Sequence, residues 1–121
     1  ARVRFGAVRF LLVGDAEKEL EQWLVANDSL DLRADVLKVA HHGSSTSTTE
    51  RFLSATKPRV ALISVGKDNS YRHPSPAVVE RLERSGAAVY RTDQLGTVVV
   101  STDGRRVRVR AREGEWELRP R

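Results

Sequence analysis

Val36-Leu37-Lys38-Val39-Ala40-His41-His42-Gly43-Ser44 is an apolar run that stops at two adjacent imidazoles, a glycine and the first of a series of hydroxyls. A short apolar run bounded by turn residues reads as a buried strand, and buried strands alternating with helical segments are the pattern of a layered α/β fold. Two of the chain's three histidines stand at this strand's end. A strand holds such a pair rigidly, and imidazole nitrogens serve as metal ligands or proton carriers near neutral pH. This edge is where chemistry is expected.

Upstream, Val3 to Val13 reads as a hairpin or bent strand with Gly6 as its weak point, terminated by Gly14-Asp15. From Ala16 the pattern turns helical, with Leu20, Trp23 and Leu24 on one face and Glu17, Lys18, Glu19, Glu21 and Gln22 on the other. Asn27-Asp28-Ser29 is the expected end of that helix, and Ala34 to Ala40 the next strand. Downstream, Ser47 or Thr48 is expected to cap a short helix through Ala55 that turns Phe52 and Leu53 inward. Val60 to Val65 is a continuous apolar strand of the kind buried on both faces, and Gly66 opens a polar loop carrying Tyr71, His73 and Pro74. Ser75-Pro76 starts a third helix and Ser85-Gly86 stops it. Ala88 to Arg91 reads as a short strand, and Thr97 to Ser101 pairs with Val107 to Ala111 across the Asp103-Gly104 turn. The order is β–α–β–α–β–α–β followed by a hairpin, without internal repeats.

At 121 residues the chain is read as a single unit, residues 1–121. No apolar run approaches the roughly 20 residues that span a bilayer. The start, Ala1-Arg2-Val3-Arg4-Phe5, has no initiator Met and no signal-peptide pattern, and reads as a cut inside a longer protein. Without cysteine there is no disulfide and no thiolate metal site, so any metal must use His and carboxylates. The net charge of +5 is uneven, with seven arginines against three glutamates from Arg105 to Arg121. A polyanionic partner is permitted by that balance.

Asp15, His41, His42 and His73 each follow an expected strand or lie in the loop after one, the edge where α/β sheets gather ligands. Together they offer the N and O donors that zinc or manganese accept. The plainer reading makes Asp15 a helix cap and the histidines ordinary loop residues; His73 matters only if it faces His41. The hydroxyls from Ser44 and Ser45 to Ser47 could cradle phosphate at a helix N-terminus, or be a loop and its cap. Arg106, Arg108, Arg110 and Arg112 alternate with Val107, Val109 and Ala111, placing guanidiniums roughly 6.6 Å apart on one strand face. That face suits a nucleic-acid backbone, or it is a solvated strand whose charges prevent aggregation. The aromatic residues look too few and too scattered for a base-stacking platform.

In combination, Leu11-Leu12-Val13-Gly14-Asp15-Ala16-Glu17, Asp35 through Ser44, Ile63-Ser64-Val65-Gly66 with Tyr71-Arg72-His73-Pro74, and Tyr90-Arg91-Thr92-Asp93 resemble the metallo-β-lactamase-like domain of ComEC-type competence proteins. The resemblance runs from about Phe10 to Gly104. It implies an αββα sandwich of mixed sheets flanked by helices, of which this chain is roughly the C-terminal half. It further implies a soluble domain, on the extracytoplasmic side, of a bacterial plasma-membrane channel that takes up DNA during transformation. By that resemblance Asp15 looks like a carboxylate bridging two metals, His42 like a terminal ligand oriented by Ser44 or a backbone carbonyl, and His41 like a neighbour acting on phosphate or a proton. The two histidines could exchange roles, and His73 would rim the site. The implied chemistry is two-metal hydrolysis of a phosphodiester with zinc or manganese.

The family's His-x-His-x-Asp-His loop has no counterpart among histidines 41, 42 and 73. The expectation is therefore that the parent is a metal-dependent nuclease or phosphodiesterase, and that this piece binds metal weakly and is inactive alone. Two alternatives stand beside it: a non-catalytic module that binds DNA or stabilises the channel, and a metallo-hydrolase of small phosphodiesters such as a phosphorylcholine esterase. A sheet face left bare by the missing half is expected to favour a homodimer.

Overall fold

The apolar runs become the parallel heart of a five-stranded sheet in a computed structural model that describes residues 1–27 and 31–118. Strands β1 (Arg2–Phe5), β2 (Val8–Leu12), β3 (Val36–Lys38), β4 (Val60–Ile63) and β5 (Ala88–Arg91) lie side by side in chain order. The first pair is an antiparallel hairpin, and β2 to β5 run parallel. Parallel neighbours need crossovers, supplied by helices α1 (Lys18–Ala26), α2 (Glu50–Thr56) and α3 (Pro76–Arg84). A short helix, α4 (Thr92–Leu95), then leads to an antiparallel sheet of β6 (Val99–Thr102), β7 (Val107–Ala111) and β8 (Gly114–Leu118).

Two apolar layers hold these parts together. On one face Leu11, Leu37, Ala61 and Ile63 pack under Phe52 and Leu53 of α2 and Val78 and Leu82 of α3, with Leu24 and Val25 of α1 at the margin. On the other face Val8, Val36, Val60 and Tyr90 meet Val107 and Val109 of β7. Side chains of this size gain roughly 1.5–3 kcal/mol each when fully buried, so both layers contribute materially to stability. The molecule is thus helices, mixed sheet and antiparallel sheet in three layers. The three crossover helices cover one sheet face, and strands rather than helices cover the other.

The two sheets are joined turn to turn. Ala7 N–H donates to the Gly104 carbonyl at 2.7 Å, and a Cβ at Gly6 would stand 2.5 Å from the same oxygen. With φ of +60° at Gly6 and +98° at Gly104, glycine answers both the conformation and the close approach.

Several expectations change. The sheet face expected to be bare is partly covered by the chain's own second sheet, which leaves Val3, Phe5 and Leu12 exposed near the β1 edge and weakens the argument for a homodimer. Helix α1 turns a different face inward than its periodicity suggested: Trp23 is 60% exposed, whereas the Glu21 side chain is fully buried. The Glu21 carboxylate accepts the backbone N–H groups of Thr48 (2.5 Å) and Thr49 (2.9 Å), and those bonds outweigh the burial of one indole. Helix α2 is capped by Thr49, one or two residues later than expected, its hydroxyl accepting from Phe52 N–H at 3.3 Å. At α3, Ser75 is the N-cap with Pro76 at the first helical position, and its carbonyl accepts from Val78 and Val79. Strand β8 and helix α4 were not foreseen. The expected α1 terminus at Asp28-Ser29 and the end of the basic tail, 119–121, lie outside the described residues.

Candidate functional site

The C-terminal ends of β2, β3, β4 and β5 form one edge of the parallel sheet, and hydrogen bonds lace the four ends together. His41 N–H donates to Gly14 O at 2.8 Å, joining the exits of β3 and β2. The His42 Nδ1 lies 2.6 Å from Ser64 O, joining β3 to β4. Thr92 Oγ1 accepts from Val65 N–H at 2.8 Å and donates to Val65 O at 3.0 Å, joining β4 to β5. Strand β3 itself stops at Lys38, earlier than its apolar run, because the chain turns sharply at Ala40–Gly43. His41 (φ +50°), His42 (φ +53°) and Gly43 (φ +82°) follow one another in the left-handed region. That conformation costs a non-glycine L-residue roughly 1–2 kcal/mol, so the surrounding bonds must hold it.

The loop after β4 docks on this turn. Ser75 N–H donates to Gly43 O at 2.8 Å, and Pro74 packs so closely that a Cβ at Gly43 would lie 2.5 Å from the proline Cβ. Inside the loop Asn69 accepts His73 N–H at 2.7 Å and donates to the carbonyls of Gly66 and His73. The result brings all three histidines together. The His41 ring centroid is 6.5 Å from that of His42 and 5.9 Å from that of His73, and Tyr71 stacks on His73 at 5.8 Å with 18° between planes. The condition set for His73, that it face His41, is met.

Bonding decides what each imidazole can do. A carbonyl can only accept, so the His42 Nδ1 carries a proton toward Ser64, and in the neutral tautomer this leaves Nε2 with the lone pair. A backbone carbonyl, not Ser44, therefore orients His42. The His41 Nδ1 is buried and lies 3.3 Å from Glu17 Oε1 without the alignment a hydrogen bond needs. Glu17 Oε1 also accepts from Thr46 Oγ1 at 3.3 Å. Asp15 stands exposed at the exit of β2. Its charge acts on Lys38, whose ammonium burial pushes below the usual lysine range while Asp15 opposes the shift. Asp93 pairs bidentately with Arg91 at 3.0 and 2.7 Å, and hydrogen bonding to that guanidinium holds its carboxyl below the usual aspartate range.

Among the described residues no group of three or more His, Asp or Glu could by itself hold a metal ion. The donors are of the right chemistry for zinc or manganese, but their number falls short.

The remaining candidate residues gather elsewhere or find other partners. Ser44 Oγ is 2.9 Å from Thr46 Oγ1, and the backbone amides of Thr48 and Thr49 at the start of α2 are taken by Glu21. Glu21 thus holds the two amides nearest the start of α2, while Ser45 is exposed and Ser44 is engaged with Thr46. Arg106, just before β7, and Arg108 and Arg110 on it are exposed opposite the buried Val107 and Val109, as the alternation implies. Arg106 Nε lies 3.6 Å from Glu117 and Arg108 Nε 3.0 Å from Glu115, so strand β8 partly neutralises that face. These arginines are not part of the histidine edge.

Sequence reasoning missed Ser64, Glu17, Thr92 and Glu21 as site-builders. Ser64 acts through its carbonyl and Glu21 through backbone amides of another element, and neither contact leaves a mark in residue spacing.

The class these features define is a layered α/β domain with imidazoles and a carboxylate collected at the C-terminal edge of a parallel sheet. No family model matches the chain. It is 48% identical over 93 residues to ComE operon protein 3 of Bacillus subtilis, covering 77% of this chain and 12% of that protein. It is also 45% identical over 91 residues to recombination protein 2 of Haemophilus influenzae, covering 75% of this chain and 11% of that protein. Competence protein ComA of Neisseria gonorrhoeae is 38% identical over 97 residues, covering 80% of this chain and 14% of that protein. The chain is thus a homologue of one segment of these proteins, and spans about an eighth of their length.

Proposed function

We propose that this chain is the C-terminal part of a metallo-β-lactamase-like, metal-dependent phosphodiesterase domain in a ComEC-type competence protein, acting on DNA during its uptake. The observation that carries the reading is His42, exposed, held left-handed on the backbone and tied through Nδ1 to Ser64 O so that Nε2 is left without that partner, next to His41, which neighbours His73 and is bonded to Gly14 before Asp15. Identity to a named competence protein supports the same reading. In the complete domain, Asp15 and His42 would be two of the ligands of a zinc or manganese centre that activates water against a phosphodiester. Further ligands would come from elsewhere in the parent, because the described residues lack a complete set. The parent's membrane attachment, with this domain outside the cytoplasm, is part of the proposal; no helix among the described residues is long and apolar enough to cross a membrane.

The deciding experiment is manganese-dependent hydrolysis of an end-labelled single strand by the full-length protein carrying this segment, compared with His42→Ala. Loss of at least a hundredfold in rate at unchanged protein yield is expected, and undiminished cleavage would end the assignment. A chromogenic small diester run in parallel separates a nuclease from a small-diester hydrolase. A second reading, a DNA-binding module without catalysis, draws on the incomplete donor set and the exposed arginines of β7. It predicts strand binding by the full-length protein with no metal-dependent cleavage.

A further inference from the structure

Four aromatic rings that the sequence scatters from residue 41 to residue 73 form a continuous row at the sheet edge. Tyr71, His73, His41 and His42 follow one another with centroid spacings of 5.8, 5.9 and 6.5 Å. The outermost member, Tyr71, is 79% exposed although one face of its ring lies nearly parallel to His73. At that separation the two near-parallel rings are offset, so His73 touches Tyr71 and leaves most of its ring open to solvent. The loop beneath it is fixed by the Asn69 bonds to His73 and by the docking of Pro74 and Ser75 on Gly43. Arg72, between the two stacked residues, has φ of +58°, so the chain is bent where the rings come together.

We infer that the free face of Tyr71 is a stacking site for an unpaired nucleobase, which places the strand's backbone toward the imidazoles of His41 and His42. This rests on the reading of the histidine edge as a site for DNA and supplies what that reading lacks, a contact that recognises single strands. Every base has a π-face, so such a platform is tolerant of sequence; in a duplex both faces of a base are already stacked, so the platform discriminates against paired DNA. Lys67 and Arg72, exposed in the same loop, outnumber the equally exposed Asp68 and give it a net positive charge suited to the phosphates flanking the stacked base. The phenol ring is rigid and preorganised, so little conformational entropy is lost on binding.

The test is fluorescence anisotropy of an end-labelled thymidine 12-mer against the full-length protein carrying this segment, beside an abasic 12-mer of the same charge and a hairpin duplex, which should bind no better than the abasic strand. Stacking predicts that the intact strand binds about tenfold more tightly than the abasic one. Tyr71→Ala should erase that difference and Tyr71→Phe should keep it. Because Tyr71 is exposed, the variants retain the fold, and circular dichroism verifies this. Equal binding of intact and abasic strands, or a difference that survives Tyr71→Ala, overturns the stacking site while leaving DNA binding intact. Failure of both strands to bind the wild-type protein overturns the stacking site and counts against the DNA reading on which it rests.

Discussion

The histidine edge and the arginine strand are both sets of basic side chains, and they are built on opposite principles. Along β7 and the residue before it the pattern is local: Arg106, Arg108 and Arg110 point outward because Val107 and Val109 point inward, and two of the three are answered by glutamates one strand away. At the histidine edge nothing is periodic. Adjacent residues sit in an unfavourable backbone conformation, and beside the local bonds from Ser44 N–H to His41 O and from Ser47 Oγ to Ala40 O the contacts come from other elements: Gly14, Ser64, Pro74 and Ser75. The contrast teaches that strain retained against propensity is a better pointer to chemistry here than density of charge.

The comparison breaks most visibly at Glu21. Its buried carboxylate holds the loop that follows the histidines, and Glu21→Ala should destabilise the chain by about 3 kcal/mol in urea denaturation by stranding two amides. Gly43→Ala, which drives a methyl into Pro74 at a positive φ, should cost about 2 kcal/mol and shift the imidazole resonances of His41 and His73 in NMR spectra. His41→Gly is expected to act in the opposite direction, raising stability by about 0.5–1 kcal/mol as the left-handed strain is relieved, while removing the ring that links His42 to His73. A loss of stability on that change would show that the turn is not strained.

Acid sharpens the contrast further. The carboxyl of Asp93 is depressed in the folded state by hydrogen bonding to Arg91, so its contribution is complete above the ordinary aspartate value and is lost as pH falls below about 4. Asp93→Asn should flatten the acid limb of the stability–pH curve. Asp103, depressed by the backbone amides of Arg106 and Arg105 but fully exposed, has the same sign, and Asp103→Asn should flatten it less. The smallest effect belongs to the arginine strand. Arg108→Ala should change stability by no more than about 0.5 kcal/mol, because its ion pair with Glu115 is open to solvent.

Those differences track what could be read in advance. Strands β2 to β5 and helix α3 were legible because apolar runs, the Ser75-Pro76 start and the Ser85-Gly86 stop are local signals. The inward face of α1 was not, since a tertiary bond buried Glu21 in preference to Trp23. Strand β8 escaped although Trp116 and Leu118 alternate with Glu115 and Glu117, because that alternation covers only four residues and its meaning depends on pairing with β7, where Trp116 and Leu118 stand opposite Val109 and Val107. That Asp15, His41, His42 and His73 lie along one edge of the sheet was legible from their places after strands. Their orientation was hidden, because left-handed histidines have no signature beyond the glycine that follows them, and the Tyr71–His73 stack depends on a bend at Arg72.

The bond from Ala7 to Gly104 bears on how the molecule assembles. Its partners lie almost the whole chain apart, whereas β6, β7 and β8 pair through short connections and can form as a local unit. Joining the two sheets is therefore expected late in folding, and Val109→Ala should give a lower φ-value than Leu37→Ala. The parallel sheet and its histidine edge then take shape before the turn-to-turn seam closes, so the order of assembly protects the strained part by completing its supports first and leaves the antiparallel sheet to be fastened on last.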